Sequence, residues 1–234
     1  MKKAFVFIYF LLVVIDFLFC SLDLKWYFLV AKNAIPLFLT FSLFYFRKYS
    51  LNQNDYLVLT SLILLSVGLN FSFFFHTYEI YLPVITIIYF FEIQIQLYIV
   101  LKKLRRIETK KTKAFTKIFL IFTLGLFFII VFFPLFSFPI QLLFFVRVFQ
   151  YAYFISLVFG NKKIHPHISL SLWFIILSNV ALLADLVIFK YNFEYMIIMF
   201  FFYLSKYLFL NGYLNINKLN RRETNIEQQQ YSMF

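Results

Sequence analysis

Six ionisable side chains lie well inside the long apolar stretches of this chain, and two asparagines accompany them: Asp16, Lys32, Asn70, Glu92, Arg147, Asn179, Asp185 and Lys206. A charged group at the centre of a hydrocarbon layer costs about 2.5–3.5 kcal/mol on insertion scales unless it is paired or faces water. These side chains are therefore the first candidates for chemistry. A buried carboxyl group can exchange a proton with a substrate, an asparagine can orient water, and a buried cation can hold a lipid phosphate.

Eight apolar runs carry these residues, at about 4–20, 28–46, 55–75, 79–101, 115–133, 138–159, 168–189 and 193–213. Each run has roughly 17–23 residues, which is enough for a helix to cross a hydrocarbon core of about 30 Å. The runs are too long and too uniformly apolar for the strands of a barrel. The sequence predicts an all-α polytopic membrane bundle of eight transmembrane helices over residues 1–214. A polar cytoplasmic tail follows over 215–234, and we expect it to fray.

Lysine and arginine residues are concentrated in alternate gaps between the runs. The N-terminus, the even-numbered gaps and the tail hold sixteen of them, whereas the odd-numbered gaps hold only Lys25 and Lys190. Such an excess is typical of cytoplasmic loops. The split predicts a multi-pass protein with both termini in the cytoplasm, and we expect it in a bacterial inner membrane. The first run lacks the small-residue cleavage site of a signal peptide, so we interpret it as the first helix.

The composition excludes several classes of protein. Hydrophobic residues make up 63% of the chain and 38 residues are phenylalanine, which excludes a soluble globular domain. The net charge of +12 lies beside the membrane, so the expected partner is lipid and not nucleic acid. Cys20 is the single cysteine and permits no intrachain disulfide. The three histidines, His76, His165 and His167, are predicted on opposite sides of the membrane, so we expect no metal and no cofactor.

The polar residues fall into two levels when they are counted from the predicted outer end of each run. Glu92 and Lys206 each lie about thirteen residues in, and equal depth predicts that two otherwise costly charges pair with one another. No further polar neighbours of this pair are evident. The other groups share the outer half of the bundle: Asp16, Lys32, Asn33, Asn70, Arg147, Asn179 and Asp185. These groups either fix helix packing alone or include a site around Asp185, while Asp16 lies near enough to the interface to be solvated.

Several short motifs resemble those of the lysoplasmalogenase-like, or YhhN-type, family of membrane proteins. They occur in the order and at the places found in that family: Lys32 with Pro36 in the second span, SVGLN at 66–70, the segment 91–98, LSNVALLA at 177–184, and YLSKYL at 203–208 before Asn211 and Gly212. The resemblance covers the chain in span count, topology and motif order.

The resemblance implies an enzyme that hydrolyses the vinyl-ether bond of a lysoplasmalogen and releases a fatty aldehyde. Such a reaction needs a carboxylic acid to protonate the β-carbon and a carboxylate to stabilise the cation that water then captures. Here the family's two membrane aspartates fall on Asn70 and Asn179. Its histidine falls on Ile95 and its glutamine on Lys206. Because asparagine donates no proton at neutral pH, Asp185, six residues after Asn179, would have to take over.

Two functions therefore compete. The hydrolase would combine catalytic and lipid-binding residues from several spans: Asp185, Asn70 and Asn179 for catalysis, and Lys32, Arg147 and Tyr203 for the lipid. Asp185, Asn70 and Asn179 would line one cavity open to the outer leaflet, with a cation from Lys32 or Arg147 at its mouth. The alternative is a catalytically degenerate relative that binds lysolipid or serves as a membrane scaffold. A small transporter or sensor is disfavoured, because the spans contain almost no glycine to interrupt a helix. The sequence indicates no oligomeric state.

The topology predicted from the uneven distribution of lysine and arginine can be tested directly. A reporter enzyme that is active only outside the cytoplasm should stay silent when it is fused after residue 234, because the tail is predicted inside. The same reporter fused after residue 25, in the first predicted external gap, should be active. Strong activity of the C-terminal fusion would contradict the assignment.

Overall fold

The computed structural model describes residues 3–75, 81–103, 125, 138–160, 165–187 and 193–231. These residues contain helices and no strand, so the all-α prediction is confirmed for them. The helices are α1 (Lys3–Ser21), α2 (Lys25–Arg47), α3 (Gln53–Phe75), α4 (Tyr81–Lys103), α5 (Phe138–Gly160), α6 (Pro166–Val187) and α7 (Glu194–Tyr231). The predicted fifth run, 115–133, lies outside the described residues apart from Gly125, as do the gaps between runs at 76–78 and 134–137.

Among the described residues, five helical segments are long and apolar enough to cross a membrane: α1, α2, α3, Tyr81–Lys102 of α4 and Glu194–Asn215 of α7. A shorter apolar segment, Pro166–Leu182, lies in α6. Large apolar side chains cover the outer surface, and Trp26 and Val30 are 72% and 70% exposed. Apolar surface of this extent is typical of helices that contact lipid. The chain is therefore a helical protein embedded in a membrane.

Helices that follow one another in sequence pack side by side, from α1 to α4 and from α4 through α5 and α6 to α7. The last helix, α7, also packs against α1 and α2, so it closes the bundle. Its contact with α6 is close at Gly212, where an added Cβ would lie 3.1 Å from the backbone nitrogen of Ile168. Glycine is needed there because a side chain would push the two helices apart.

The start of α3 is fixed by a reciprocal cap. The backbone nitrogen of Asp55 donates to Oδ1 of Asn52 at 3.0 Å, and the backbone nitrogen of Asn52 donates to Oδ2 of Asp55 at 2.9 Å. This is the capping-box arrangement of a helix N-terminus. The Asp55 carboxylate is fully buried and also accepts from Nε of Arg47 at 2.8 Å and from the hydroxyl of Tyr213 at 2.7 Å. The α2–α3 connection is thereby attached to α7.

One face of α7 supplies hydrogen-bond donors to the three buried acids of the described residues, in the pairs Tyr195 and Tyr203 to Asp16, Lys206 to Glu92, and Tyr213 to Asp55. At about 100° of rotation per helical residue, these four donors fall within an arc of about 80°. The acids belong to α1, α4 and α3 respectively. The rotation of α7 about its axis therefore decides whether all three acids are satisfied.

The expectation that the tail frays is wrong as far as Tyr231, because α7 continues without a break from the apolar segment through the polar one. Residues 216–231 contain neither glycine nor proline and include several glutamate, glutamine and arginine residues, which favour helix. A polar sequence of this composition continues a helix that the apolar segment has already nucleated.

The Asp55 cluster predicts a large loss of stability on substitution. Asp55→Ala removes the acceptor of Arg47, Tyr213 and the α3 cap, so it should lower the free energy of unfolding by about 2–4 kcal/mol. The measurement is thermal or denaturant unfolding of the detergent-solubilised protein. Asp23→Asn, at an exposed aspartate in the α1–α2 connection whose positive φ asparagine also tolerates, is the control for loss of negative charge and should have little effect. Equal stability of the two variants would show that the hydrogen bonds of Asp55 do not stabilise the bundle.

Candidate functional site

The most enclosed acid of the outer level is Asp16 on α1, which has no exposed surface. Its Oδ2 accepts hydrogen bonds from the hydroxyls of Tyr195, at 2.9 Å, and Tyr203, at 3.3 Å. Its Oδ1 is buried and has no hydrogen-bond partner among the residues that the structure describes. The interpretation of Asp16 as a solvated residue at the interface is therefore wrong: two donors from α7 draw the carboxyl group into the bundle, and the buried carboxyl group has one oxygen uncommitted.

A buried cation lies beside this carboxyl group. Lys32 on α2 is 4% exposed, and its ammonium group lies 4.7 Å from the ring centre of Phe28 and 5.2 Å from that of Tyr195. Lys32 and Asp16 attract one another, yet no carboxylate in the described part of the chain lies within 4.0 Å of the ammonium. Tyr195 thus contacts both charges, by its hydroxyl on one side and by its ring on the other.

We refer to Asp16, Lys32, Tyr195 and Tyr203 as the Asp16 site. The position of Tyr203 is fixed by Tyr9, whose hydroxyl donates to the backbone carbonyl of Tyr203 at 2.6 Å inside the core. The site brings together two of the predicted lipid-binding residues, Lys32 and Tyr203. Its acid is Asp16, however, and not the predicted Asp185.

The predicted pair at the inner level is confirmed. Lys206 donates to both carboxylate oxygens of Glu92, at 2.7 Å and 2.5 Å, and both side chains are buried. The expectation that this pair lacks polar neighbours is wrong. Gln96 donates to Glu92 at 2.6 Å and Ser61 donates to it at 3.3 Å. The carboxylate is therefore saturated by one cation and two neutral donors, which suits a structural ion pair better than a reactive acid.

Asn70 on α3 pairs with Asn33 on α2. Each side-chain nitrogen donates to the other side-chain oxygen, at 2.7 Å and 2.9 Å. Asn70 also donates to the backbone carbonyl of Ser66 at 2.8 Å, and the Ser66 hydroxyl donates to Asn33 at 3.0 Å. Both functional atoms of the Asn70 amide are used within the α2–α3 pair, so Asn70 joins two helices.

Asn179 lies in a separate cluster. Its side-chain nitrogen donates to the hydroxyl of Tyr151 at 3.0 Å and to the backbone carbonyl of Ile175 at 2.6 Å. The same Tyr151 hydroxyl accepts from Arg147 at 2.8 Å, and Arg147 donates also to Oε1 of Gln150 at 3.1 Å. Arg147 therefore belongs with Asn179, between α5 and α6, and not with the Asp16 site.

Asp185 is half-buried, and its Oδ1 is buried without a hydrogen-bond partner in the part of the chain that the structure describes. It lies six residues after Asn179 on α6, about 9 Å along the helix axis. No hydrogen bond between described residues joins Asp185, Asn70 and Asn179. That these three side chains line one cavity stays a prediction.

The two histidines among the described residues, His165 and His167, lie at the start of α6. The rings of His165 and His167 are 4.7 Å apart, and Asn211 of α7 lies 2.9 Å from Nδ1 of His167. Partial burial, and then the neighbouring His167, lower the pKa of His165 below its usual value. His76 lies outside the described residues. Within those residues, no group of three histidine, cysteine, aspartate or glutamate side chains could hold a metal ion.

No protein-family model, curated protein or solved structure matches this chain. Among the residues of the Asp16 site, Tyr195 was missed from sequence, because one tyrosine in a chain with 17 Tyr and 38 Phe gives no signal of its own. Asp55 was missed because it lies at the edge of an apolar run. The Asn52-x-x-Asp55 spacing was the available signal for its role as a helix cap.

The Glu92–Lys206 pair gives a thermodynamic prediction. Lys206→Met leaves a buried carboxylate without its cation and should lower the free energy of unfolding by about 3–5 kcal/mol. Adding Glu92→Gln should recover part of that loss, because the double variant buries no unpaired charge. Lys25→Met, at an exposed lysine, is the control for loss of positive charge. If the double variant is no more stable than the less stable of the single variants Lys206→Met and Glu92→Gln, the pair contributes nothing.

Proposed function

We propose that the chain is a lysoplasmalogenase-type membrane hydrolase that cleaves the vinyl-ether bond of a lysolipid at the Asp16 site. The observation that carries the proposal is the buried carboxyl group of Asp16, which accepts two phenol hydrogens on Oδ2 and leaves Oδ1 uncommitted. General acid chemistry on an apolar substrate needs a carboxylic acid whose proton faces the substrate and not the protein. Asp16 fulfils this requirement among the described acids better than Glu92, whose oxygens are occupied by donors.

The arrangement accounts for each step of vinyl-ether hydrolysis. Because both tyrosine hydroxyls donate to Oδ2, the proton of the neutral acid resides on Oδ1 and is delivered from there to the β-carbon of the lipid. The ionised Asp16 then stabilises the oxocarbenium-like centre and orients a water molecule toward the carbon beside the ether oxygen. Water adds and gives a proton back to Asp16. The resulting hemiacetal then breaks its bond to the glycerol oxygen, which gains a proton as the hemiacetal hydroxyl loses one. The products are a fatty aldehyde and a glycerophospho-headgroup.

Lys32 is the cation that would hold the lipid phosphate. Its ammonium group has no carboxylate within 4.0 Å in the described residues and lies against aromatic rings, so an anion from outside the chain would complete its charge balance. Asp16 is fully covered in this structure. Substrate entry therefore requires α1, α2 or α7 to move apart. Asp185, with its own unpartnered oxygen, is the second candidate acid.

The proposal includes eight spans with both termini in the cytoplasm. This topology is supported by the split of sixteen cations against two between alternate gaps. It puts the end of α1 and the start of α2 and α7 at the outer surface, so that the Asp16 site opens toward the outer leaflet. A single-chain lipid in that leaflet can present its headgroup at the surface and its ether bond at the depth of Asp16.

A second candidate function is a non-catalytic lysolipid-binding protein or scaffold. It is favoured by the hydrogen bonds of Asn70, because the Asn70 amide donates to Asn33 and to the Ser66 carbonyl. An aspartate at that position would turn a carboxylate toward these two acceptors. The amide is thus integrated into the helix packing, as expected of a descendant in which the acids implied by the family resemblance are no longer needed.

The catalytic prediction is tested with detergent-purified protein, lysoplasmalogen and an assay for released aldehyde. Asp16→Asn should lower the rate by at least about 100-fold, the usual contribution of a general acid. Tyr195→Phe should lower the rate less, because Tyr203 still donates to Oδ2. Asp23→Asn, at an exposed aspartate in the α1–α2 connection, should retain full activity.

The alternatives give different results in the same assay. Loss of activity in Asp185→Asn, together with full activity in Asp16→Asn, would identify Asp185 as the general acid. Turnover that appears only in the double variant Asn70→Asp, Asn179→Asp would establish the degenerate relative. No aldehyde from the wild type or from that double variant would remove the hydrolase proposal.

A further inference from the structure

Arg147 on α5 is a buried cation whose partners are all neutral. The side chain is 7% exposed. Its guanidinium donates to Oε1 of Gln150 at 3.1 Å and to the hydroxyl of Tyr151 at 2.8 Å, and it lies 4.9 Å from the centre of the Tyr151 ring. A guanidinium keeps its charge under all ordinary conditions. Arg147 therefore carries a full positive charge into the bundle.

Among the residues that the structure describes, no carboxylate pairs with Arg147. Of its ten acidic residues, only Asp16, Glu92 and Asp185 lie well inside the predicted spans. Glu92 is bonded to Lys206 through both oxygens, and Asp16 is bonded to tyrosines of α7. The ion pairs within 4.0 Å among the described residues are Lys206 with Glu92 and Arg47 with Asp55, so Asp185 does not pair with Arg147 either. An anion from another molecule would balance this positive charge.

The guanidinium is held in one orientation, because both of its acceptors are themselves fixed. Nε2 of Gln150 donates to the backbone carbonyl of Phe90 on α4 at 2.9 Å. The Tyr151 hydroxyl also accepts from Asn179 on α6 at 3.0 Å. Side chains and backbone of three helices therefore set the plane of Arg147. Described residues use two of the five guanidinium hydrogens and leave three for a ligand. An oriented guanidinium with hydrogens to spare suits a carboxylate bound through both oxygens.

We propose that Arg147 binds the carboxylate of a long-chain fatty acid within the bundle. This inference uses the eight-span topology of the proposed function but not the hydrolase chemistry. Arg147 lies nine residues into α5, about 13 Å along the axis, and thus near the middle of a hydrocarbon core of about 30 Å. A fatty acid reaches that depth as the neutral acid and ionises beside the guanidinium, whereas a lipid phosphate would have to bring its charge with it.

The test is saturable binding of radiolabelled palmitate to the full-length protein in detergent, with hexadecanol and lysophosphatidylcholine as competitors. Hexadecanol has the same chain without the carboxylate and should not displace palmitate, and lysophosphatidylcholine should not displace it either. Arg147→Lys keeps the charge and loses the two-hydrogen geometry, so its affinity should fall about tenfold, the loss expected for about 1.4 kcal/mol. Arg221→Lys makes the same change outside the predicted spans and should bind like the wild type.

A second variant keeps the proposal testable if Arg147→Lys fails to fold. Asn179→Asp leaves Arg147 in place and adds a carboxylate that contacts the same Tyr151 hydroxyl, so an internal anion should replace the ligand. This variant should bind palmitate at least about tenfold more weakly and unfold at a higher temperature. Undiminished palmitate binding by both variants overturns the proposal. Displacement by hexadecanol would show that only the chain is bound, and displacement by lysophosphatidylcholine would make Arg147 a phosphate site; either result also overturns it. Because no turnover is measured, the outcome is independent of aldehyde release.

Discussion

The bundle depends on hydrogen bonds that one helix, α7, provides to acids buried on other helices. Apolar contacts alone give little preference between alternative packings in a membrane, because lipid tails are as apolar as the side chains they would replace. In a chain with 38 phenylalanines, many rotations of α7 would bury similar aromatic surface. A rotation by one residue, about 100°, would remove Lys206 from Glu92 and Tyr213 from Asp55 together. The polar face of α7 therefore specifies the packing that the apolar faces permit.

The sequence was informative where a residue stands out against its background. Charged residues in apolar runs are rare, so equal depth was enough to predict the Glu92–Lys206 pair, which the structure confirms. Depth says nothing about rotation around a helix axis. For that reason Asn70 and Asn179 could be placed at one level from sequence, although their hydrogen bonds run to different neighbouring helices. Tyr195 and Tyr213 were missed because tyrosine is also an ordinary packing residue in this chain.

Asp16 shows how a structural and a chemical role can coincide in one carboxyl group. Tyr195 and Tyr203 attach α7 to α1 through Oδ2, and the same two hydrogen bonds decide which oxygen is left for a substrate. The acid of such a site cannot be transferred to another position without losing the hydrogen bonds that hold α7 against α1. The asparagine clusters differ in this respect, since each has its amide nitrogen committed to acceptors on the protein and retains no proton to transfer.

The position of α7 in the chain has a consequence for biogenesis. A ribosome makes α1, α3 and α4 first, so Asp16, Asp55 and Glu92 enter the translocon and the bilayer before Tyr195, Tyr203, Lys206 and Tyr213 have been synthesised. During that interval Asp16 lacks both of its donors and Glu92 lacks its cation, whereas Asp55 can already pair with Arg47. Asp16 and Glu92 must therefore stay near water, near lipid headgroups or beside an insertion chaperone. Nascent chains paused before α7 should therefore be the species that the membrane quality-control proteases recognise, and release from that surveillance should coincide with the emergence of the last helix.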